Sequence, residues 1–106
     1  MSRIAIINPC IVSGDAVCND VLYMYNVLHE QNMDVCIFAD DWDRNLNNFN
    51  IKHIGKLDAY IRNKNDLIIY HHSVGWEKGI EILRKKKCKR MRLRLRISGC
   101  SHALRV

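Results

Sequence analysis

The sequence predicts an α/β fold, a parallel sheet with helices against its faces. Three features carry this reading. The runs Ile4–Ile7, Val35–Phe38 and Asp66–Tyr70 are near-continuous apolar stretches, the signature of strands buried on both faces rather than half-exposed ones. Between them lie segments whose apolar residues recur at helical spacing. The strand-to-strand connections are long enough for the crossovers that parallel pairing demands. A chain of 106 residues fits one ordinary domain, which buries roughly two thirds of its extended surface.

In chain order, Ile4–Ile7 forms the first strand and stops at Asn8 and Pro9. Ser13, Gly14 and Asp15 supply loop chemistry. A helix follows from Cys18 or Asn19, with Val21, Leu22, Tyr25 and Leu28 on one face, and ends near Asn32. Asp34 opens the second strand, Val35–Phe38, which the acidic group Asp40, Asp41 and Asp43 closes. Trp42 to Asn50 reads as irregular, because Asn45, Asn47, Asn48 and Asn50 compete for backbone hydrogen bonds.

Ile51–Ile54 is expected as a short third strand and Lys56–Asn63 as a two-turn helix, with Leu57, Tyr60 and Ile61 on one face. The strand Asp66–Tyr70 delivers His71, His72 and Ser73 to its carboxyl end. Trp76–Lys86 then forms a helix with Ile80 and Leu83 inward. Gly79 inside it costs about 1 kcal/mol relative to alanine unless close packing on the sheet requires it. The whole is a Rossmann-like three-layer parallel sheet with flanking helices. Ligands of such sheets bind beyond the carboxyl ends of the strands, here at the Ser13-Gly14-Asp15 loop and the His71-His72-Ser73 corner.

The charge is unevenly placed. Residues Met1 to Leu83 hold 7 Lys+Arg against 11 Asp+Glu, whereas Arg84 to Val106 hold 10 basic residues and no acid. The expected organisation is therefore a domain over residues 1–89 and a basic segment over 90–106. In that segment Met91 to Ile97 alternates apolar residues with Arg92, Arg94 and Arg96, placing three guanidiniums on one face of a strand. Such a face can neutralise nucleic-acid phosphates. No aromatic residue interleaves to stack on a base, so nucleic acid is not the expected partner. A solvated edge strand, its arginines blocking aggregation, is the favoured reading.

Several function classes drop out on motif grounds. No GxGxxG follows the first strand, which disfavours a dinucleotide site, although Asp40 stands where a ribose-binding carboxylate would; no GxxxxGK[ST] occurs. The five cysteines, Cys10, Cys18, Cys36, Cys88 and Cys100, are odd in number and lack a CxxC, so free thiols and a cytoplasmic location are expected. Cys88, Cys100 and His102 lack a fourth zinc ligand, and no metal is expected. No apolar run approaches membrane-spanning length and no secretory signal is readable.

The loop around Gly14 lets backbone approach a ligand, and the amides of the next helix start can cradle a phosphate or sugar hydroxyl; a loop that merely turns the chain is the competing reading. His71 and His72 can orient a substrate or move a proton near neutral pH, or serve as structural hydrogen-bonding residues. By strand alternation at most one of them faces the cleft. Asp40, Asp41 and Asp43 read as a solvated acidic turn.

Against this background, Ile4-Ala5-Ile6-Ile7-Asn8-Pro9, Ser13-Gly14-Asp15-Ala16-Val17, Asn19-Asp20-Val21 with Met24-Tyr25, and Tyr70-His71-His72-Ser73-Val74-Gly75-Trp76-Glu77-Lys78-Gly79 resemble the start of a bacterial family 4 glycosyltransferase of the GT-B fold. The resemblance runs from Met1 to about Lys89. It implies a sugar transferase in which two Rossmann-like domains face each other across a cleft. Sugar passes from a nucleotide-diphosphate donor to a glycan or lipid acceptor with no cofactor or tightly bound metal, in a family that includes peripheral membrane members. Carried over, Ser13, Gly14 and Asp15 face the donor diphosphate or the transferred sugar. His72 is the catalytic candidate and lines the acceptor side with Ser73, while Asn19 and His71 complete the substrate-binding set.

Members of that family continue into a second domain bearing most nucleotide contacts, including a glutamate motif and basic groups. The resemblance therefore implies the acceptor-side part of a GT-B fold, expected to be inactive alone, since half a cleft cannot preorganise charge around a departing diphosphate. The break near Arg84 to Arg90 reads as a tail foreign to the family. An incomplete sheet leaves an open edge, through which self-association is expected. The competing classes are a small basic interaction or nucleic-acid-binding protein using the arginine strand, and a stand-alone nucleotide-binding domain.

Overall fold

The computed structural model describes residues 2–71, 76–85, 89–95 and 102–105, with His71 and the last two segments as backbone. Its elements are β1 (Arg3–Ile7), β2 (Cys10–Ile11), α1 (Ala16–Glu30), β3 (Asp34–Ala39), β4 (Asp41–Trp42), β5 (Ile51–His53), a 3-10 turn (Ile54–Lys56) running into α2 (Leu57–Tyr60), β6 (Leu67–His71), α3 (Glu77–Lys85), β7 (Lys89–Leu95) and β8 (His102–Arg105). Six strands form one sheet in the order β5-β3-β1-β6-β7-β8. The pairings from β5 to β7 are all parallel, and β8 adds antiparallel to β7. The order is compatible with a Rossmann-like α/β fold: successive parallel strands step to one side of β1, then return to the other.

The two faces of β1 bury different layers. Ile4 and Ile6 join Cys18, Val21 and Tyr25 of α1, with Val35, Ile37 and Ile69. Ala5 and Ile7 join Phe38, Leu57, Ile68, Tyr70, Trp76 and Leu83 on the α2 and α3 side. The connections stepping toward β5 thus lie on one face and those leading to β6 and β7 on the other, as a uniform crossover hand requires. The connection from β3 to β5 contains no helix. Leu46 and Phe49 of its turns pack against the α1-side core, filling the place a crossover helix would cover.

Several boundaries differ from the sequence expectation, each for an identifiable reason. Helix α1 begins at Ala16 rather than Cys18, because extended Asp15 caps it and its carboxylate accepts from the Cys18 amide at 3.1 Å. It ends two residues short of Asn32, which takes a left-handed φ of 62°. The Asn32 amide donates to the His29 carbonyl and the Met33 amide to the Leu28 carbonyl, a Schellman closure.

Helix α2 is a single turn instead of two. The amides of Arg62 and Asn63 donate to the Asp66 carboxylate instead of to carbonyls one turn back. Asp66 itself stands just before β6. The expected edge strand in the basic segment is an inner one: β7 lies between β6 and β8, so β5 and β8 hold the edges. The small parallel ladder of β2 on β4 had no signal in the sequence, being two residues on each side. Among the described residues no helix is long and apolar enough to cross a membrane.

Candidate functional site

Strand order reverses at β1, whose neighbours are β3 and β6, and the loop leaving the carboxyl end of β1 stands at this switch point. The loop from Asn8 to Asp15 is held by side chains on every side. Asn8 is buried, its amide nitrogen donating to the Phe38 carbonyl and its Nδ2 to the Cys10 carbonyl at 2.8 Å. The Cys18 thiol donates to the same Cys10 carbonyl at 3.4 Å and its sulfur accepts from the Val12 amide at 3.3 Å. Asp43 reaches across from the end of β4: its Oδ2 accepts from the Ser13 amide at 2.8 Å, while its own amide donates to the Ile11 carbonyl.

Out of this brace rises Gly14, with φ 86° and no heavy atom within 4 Å of where a Cβ would stand. A left-handed backbone favours glycine, and the open space above it is room for a ligand. Ser13, Gly14, Asp15 and Asn19 are all exposed and fall together on this loop and the first turn of α1. The Asp15 carboxylate is turned to the helix as its cap, and the Asp15 carbonyl accepts from the Asn19 amide at 2.8 Å. The capping carboxylate fills the anion-attracting amino end of α1 with negative charge of its own. Ser13 and Gly14 remain exposed on the loop ahead of that cap.

His71 is the last residue of β6. Tyr70 is the register partner of Ile7, which sets His71 level with Asn8 at the switch point. His72 and Ser73, the expected catalytic and acceptor-side residues, lie outside the described residues, as do Cys88 and Cys100.

The acidic turn resolves into three separate pairings. Asp40 accepts from Lys78 Nζ of α3 at 2.8 Å, Asp41 stands 3.6 Å from Arg44, and Asp43 holds the Ser13 loop. The Asp40–Lys78 pair ties the end of β3 to the helix that follows the histidine corner. Among the described residues no group of three His, Cys, Asp or Glu side chains converges to hold a metal.

Sequence reasoning missed Asn8, Cys18 and Asp43 as the frame of the loop. Asp15 carried a legible signal, an N-cap residue just before an apolar-periodic run. Nothing local marks Asp43, whose partner is 30 positions away. Burial pushes the Cys18 thiol up to about 11, with the Val12 amide pulling the other way and Asp15 adding to the rise, so Cys18 is a neutral structural hydrogen-bonding group at pH 7. The tight spot at Gly79 is also not where the sequence put it. A Cβ there would stand 2.6 Å from the Trp76 indole, so the glycine makes room for a ring in its own helix start rather than for the sheet.

No family model, curated protein or solved structure matches the chain.

Proposed function

We propose that this chain is the acceptor-side, amino-terminal domain of a glycosyltransferase that moves sugar from a nucleotide-diphosphate donor to a glycan or lipid acceptor. The observation that carries the reading is Gly14: a left-handed glycine with open space above it, on a braced loop, at the carboxyl end of β1 where strand order reverses. The resemblance of Ser13-Gly14-Asp15 and of Tyr70 to Gly79 to family 4 glycosyltransferases supplies the chemistry. In this reading Ser13 and Gly14 approach the transferred sugar or diphosphate, Asp15 and Asn19 fix the first turn of α1 beside them, and His71, His72 and Ser73 form the acceptor side, with His72 as catalytic group. A second domain completes the cleft and supplies the charge that receives the leaving diphosphate.

The experiment is a thermal-shift and calorimetric titration of the chain with a panel of nucleotide-diphosphate sugars and free nucleotides. The expected result is saturable stabilisation by a nucleotide sugar that falls in Ser13→Ala and disappears in Gly14→Val, with no sugar transfer by the chain alone. Equal binding by a folded Gly14→Val chain, or sugar transfer by the chain alone, overturns the reading.

A further inference from the structure

We propose that the β5 edge of the sheet, beside the 3-10 turn and α2, carries a second small-molecule site, for a phosphate monoester of a polar compound, in a cleft whose counter-charges are Lys52 and Lys56. The cleft has a volume of about 580 Å³, and its lining includes Arg3, Asp34, Lys52, Gly55, Lys56 and Tyr60. Arg3 begins β1 and Asp34 begins β3, whereas Lys52 is the β5 partner of Phe38 near the carboxyl end of β3, so the cleft runs along the β5 edge of the sheet and shares no lining residue with the Gly14 loop.

One wall is already built. Tyr60 donates its hydroxyl to Asp34 Oδ1 at 2.8 Å, Arg3 Nε stands 3.6 Å from Asp34 Oδ2, and Arg3 Nη1 donates to the Tyr60 carbonyl at 3.1 Å. These three side chains satisfy one another and hold the wall in place. Asp34 is the sole carboxylate among the lining residues and Arg3 and Tyr60 engage it, so the ammonium groups of Lys52 and Lys56 have no counter-charge in the lining. Chain geometry brings the two lysines to the same border. Lys52 is on β5 and Lys56 ends the 3-10 turn, and between them His53 Nδ1 accepts from the Gly55 amide at 3.0 Å, folding the segment back.

Two uncompensated ammonium groups match a dianion, the charge a phosphate monoester approaches at pH 7. The cleft volume exceeds a bare phosphate and falls in the range of small-molecule sites. The Tyr60 ring is no platform for a nucleobase, since the Arg3 guanidinium lies 5.3 Å from its centroid and Phe38 packs against it at 5.3 Å. The fit is to a polar, non-aromatic phosphate ester such as a sugar phosphate.

Isothermal titration calorimetry of the full chain with glucose 6-phosphate, inorganic phosphate and glucose tests this. Glucose 6-phosphate is expected to bind saturably at one site and glucose not at all. Lys52→Gln and Lys56→Gln are each expected to weaken the ester about tenfold, as loss of one charge-assisted contact does, while Lys64→Gln, outside the cleft, leaves it unchanged. Thermal melts that superimpose on the parent chain establish that the variants fold. Absence of saturable binding, unchanged affinity in the folded Lys52→Gln/Lys56→Gln chain, or inorganic phosphate binding as tightly as the ester overturns the proposal.

Discussion

The backbone amide of Arg3 donates to Asp66 Oδ1 at 2.9 Å, joining residues 63 positions apart. The other carboxylate oxygen of Asp66 accepts from the amides of Arg62 and Asn63, both at 3.0 Å. One fully buried side chain therefore ends α2, starts β6 and fixes the first residue of β1 beside it. Desolvation alone raises the pKa of this carboxyl. The Asn63, Arg3 and Arg62 amides, helped by the Arg3 charge, outweigh it and hold the group below the ordinary carboxylate range.

A depressed pKa in the fold means that the contribution of Asp66 is complete above the unfolded carboxylate value, about 4, and is lost as pH falls through the lower folded value. Asp66→Asn, which brings an amide donor toward three backbone donors, is expected to lower unfolding free energy by about 2–3 kcal/mol at pH 7. The gap should narrow below about pH 4. Urea unfolding of both chains at pH 7 and pH 3 measures it, and equal stability at pH 7 would show that Asp66 is not a brace.

Two glycines make an instructive contrast. Gly14→Ala meets no neighbour, yet its left-handed backbone should cost about 1 kcal/mol, read from the urea midpoint at unchanged slope.

Gly79→Ala should also destabilise, by about 1–2 kcal/mol, although alanine is the better helix former. The 2.6 Å approach to a buried indole outweighs a propensity gain of about 1 kcal/mol. A double-mutant cycle with Trp76→Leu checks the cause: the Gly79→Ala penalty should vanish or reverse once the ring is gone.

Thiol accessibility gives a fourth check. Cys10 is exposed, whereas Cys18 and Cys36 are buried and desolvation pushes both thiols up to about 11. Timed alkylation at pH 7.5 with peptide mass spectrometry should label Cys10 well before Cys18 and Cys36, and the difference should vanish in denaturant. Equal labelling in the folded chain would contradict the bracing role given to Cys18.

The Asp40–Lys78 pair is short but solvent-exposed, with side chains 37% and 54% accessible. Lys78→Ala is accordingly expected to change stability by under about 1 kcal/mol at low salt and less at high salt, as thermal melts at two ionic strengths would read. A larger, salt-insensitive loss would mean that Lys78 packs as well as pairs.

The sequence by itself determined the class of the fold and its central strands, because a strand buried on both faces must be apolar at consecutive positions, and Ile4–Ile7 and Val35–Phe38 can satisfy nothing else. It also located the loop around Gly14, since a chain leaving the first strand must turn and only glycine turns left-handed cheaply. Tertiary structure decided what the polar residues do. Asp66, Asp43 and Cys18 look locally like a strand start, a solvated turn and a core thiol, yet their roles come from backbone groups that the fold brings to them. The inner position of β7 and the ring beside Gly79 were decided the same way. Apolar periodicity is written in neighbouring residues, whereas a buried hydrogen bond is fixed by whichever unpaired donor the packed chain leaves within about 3 Å.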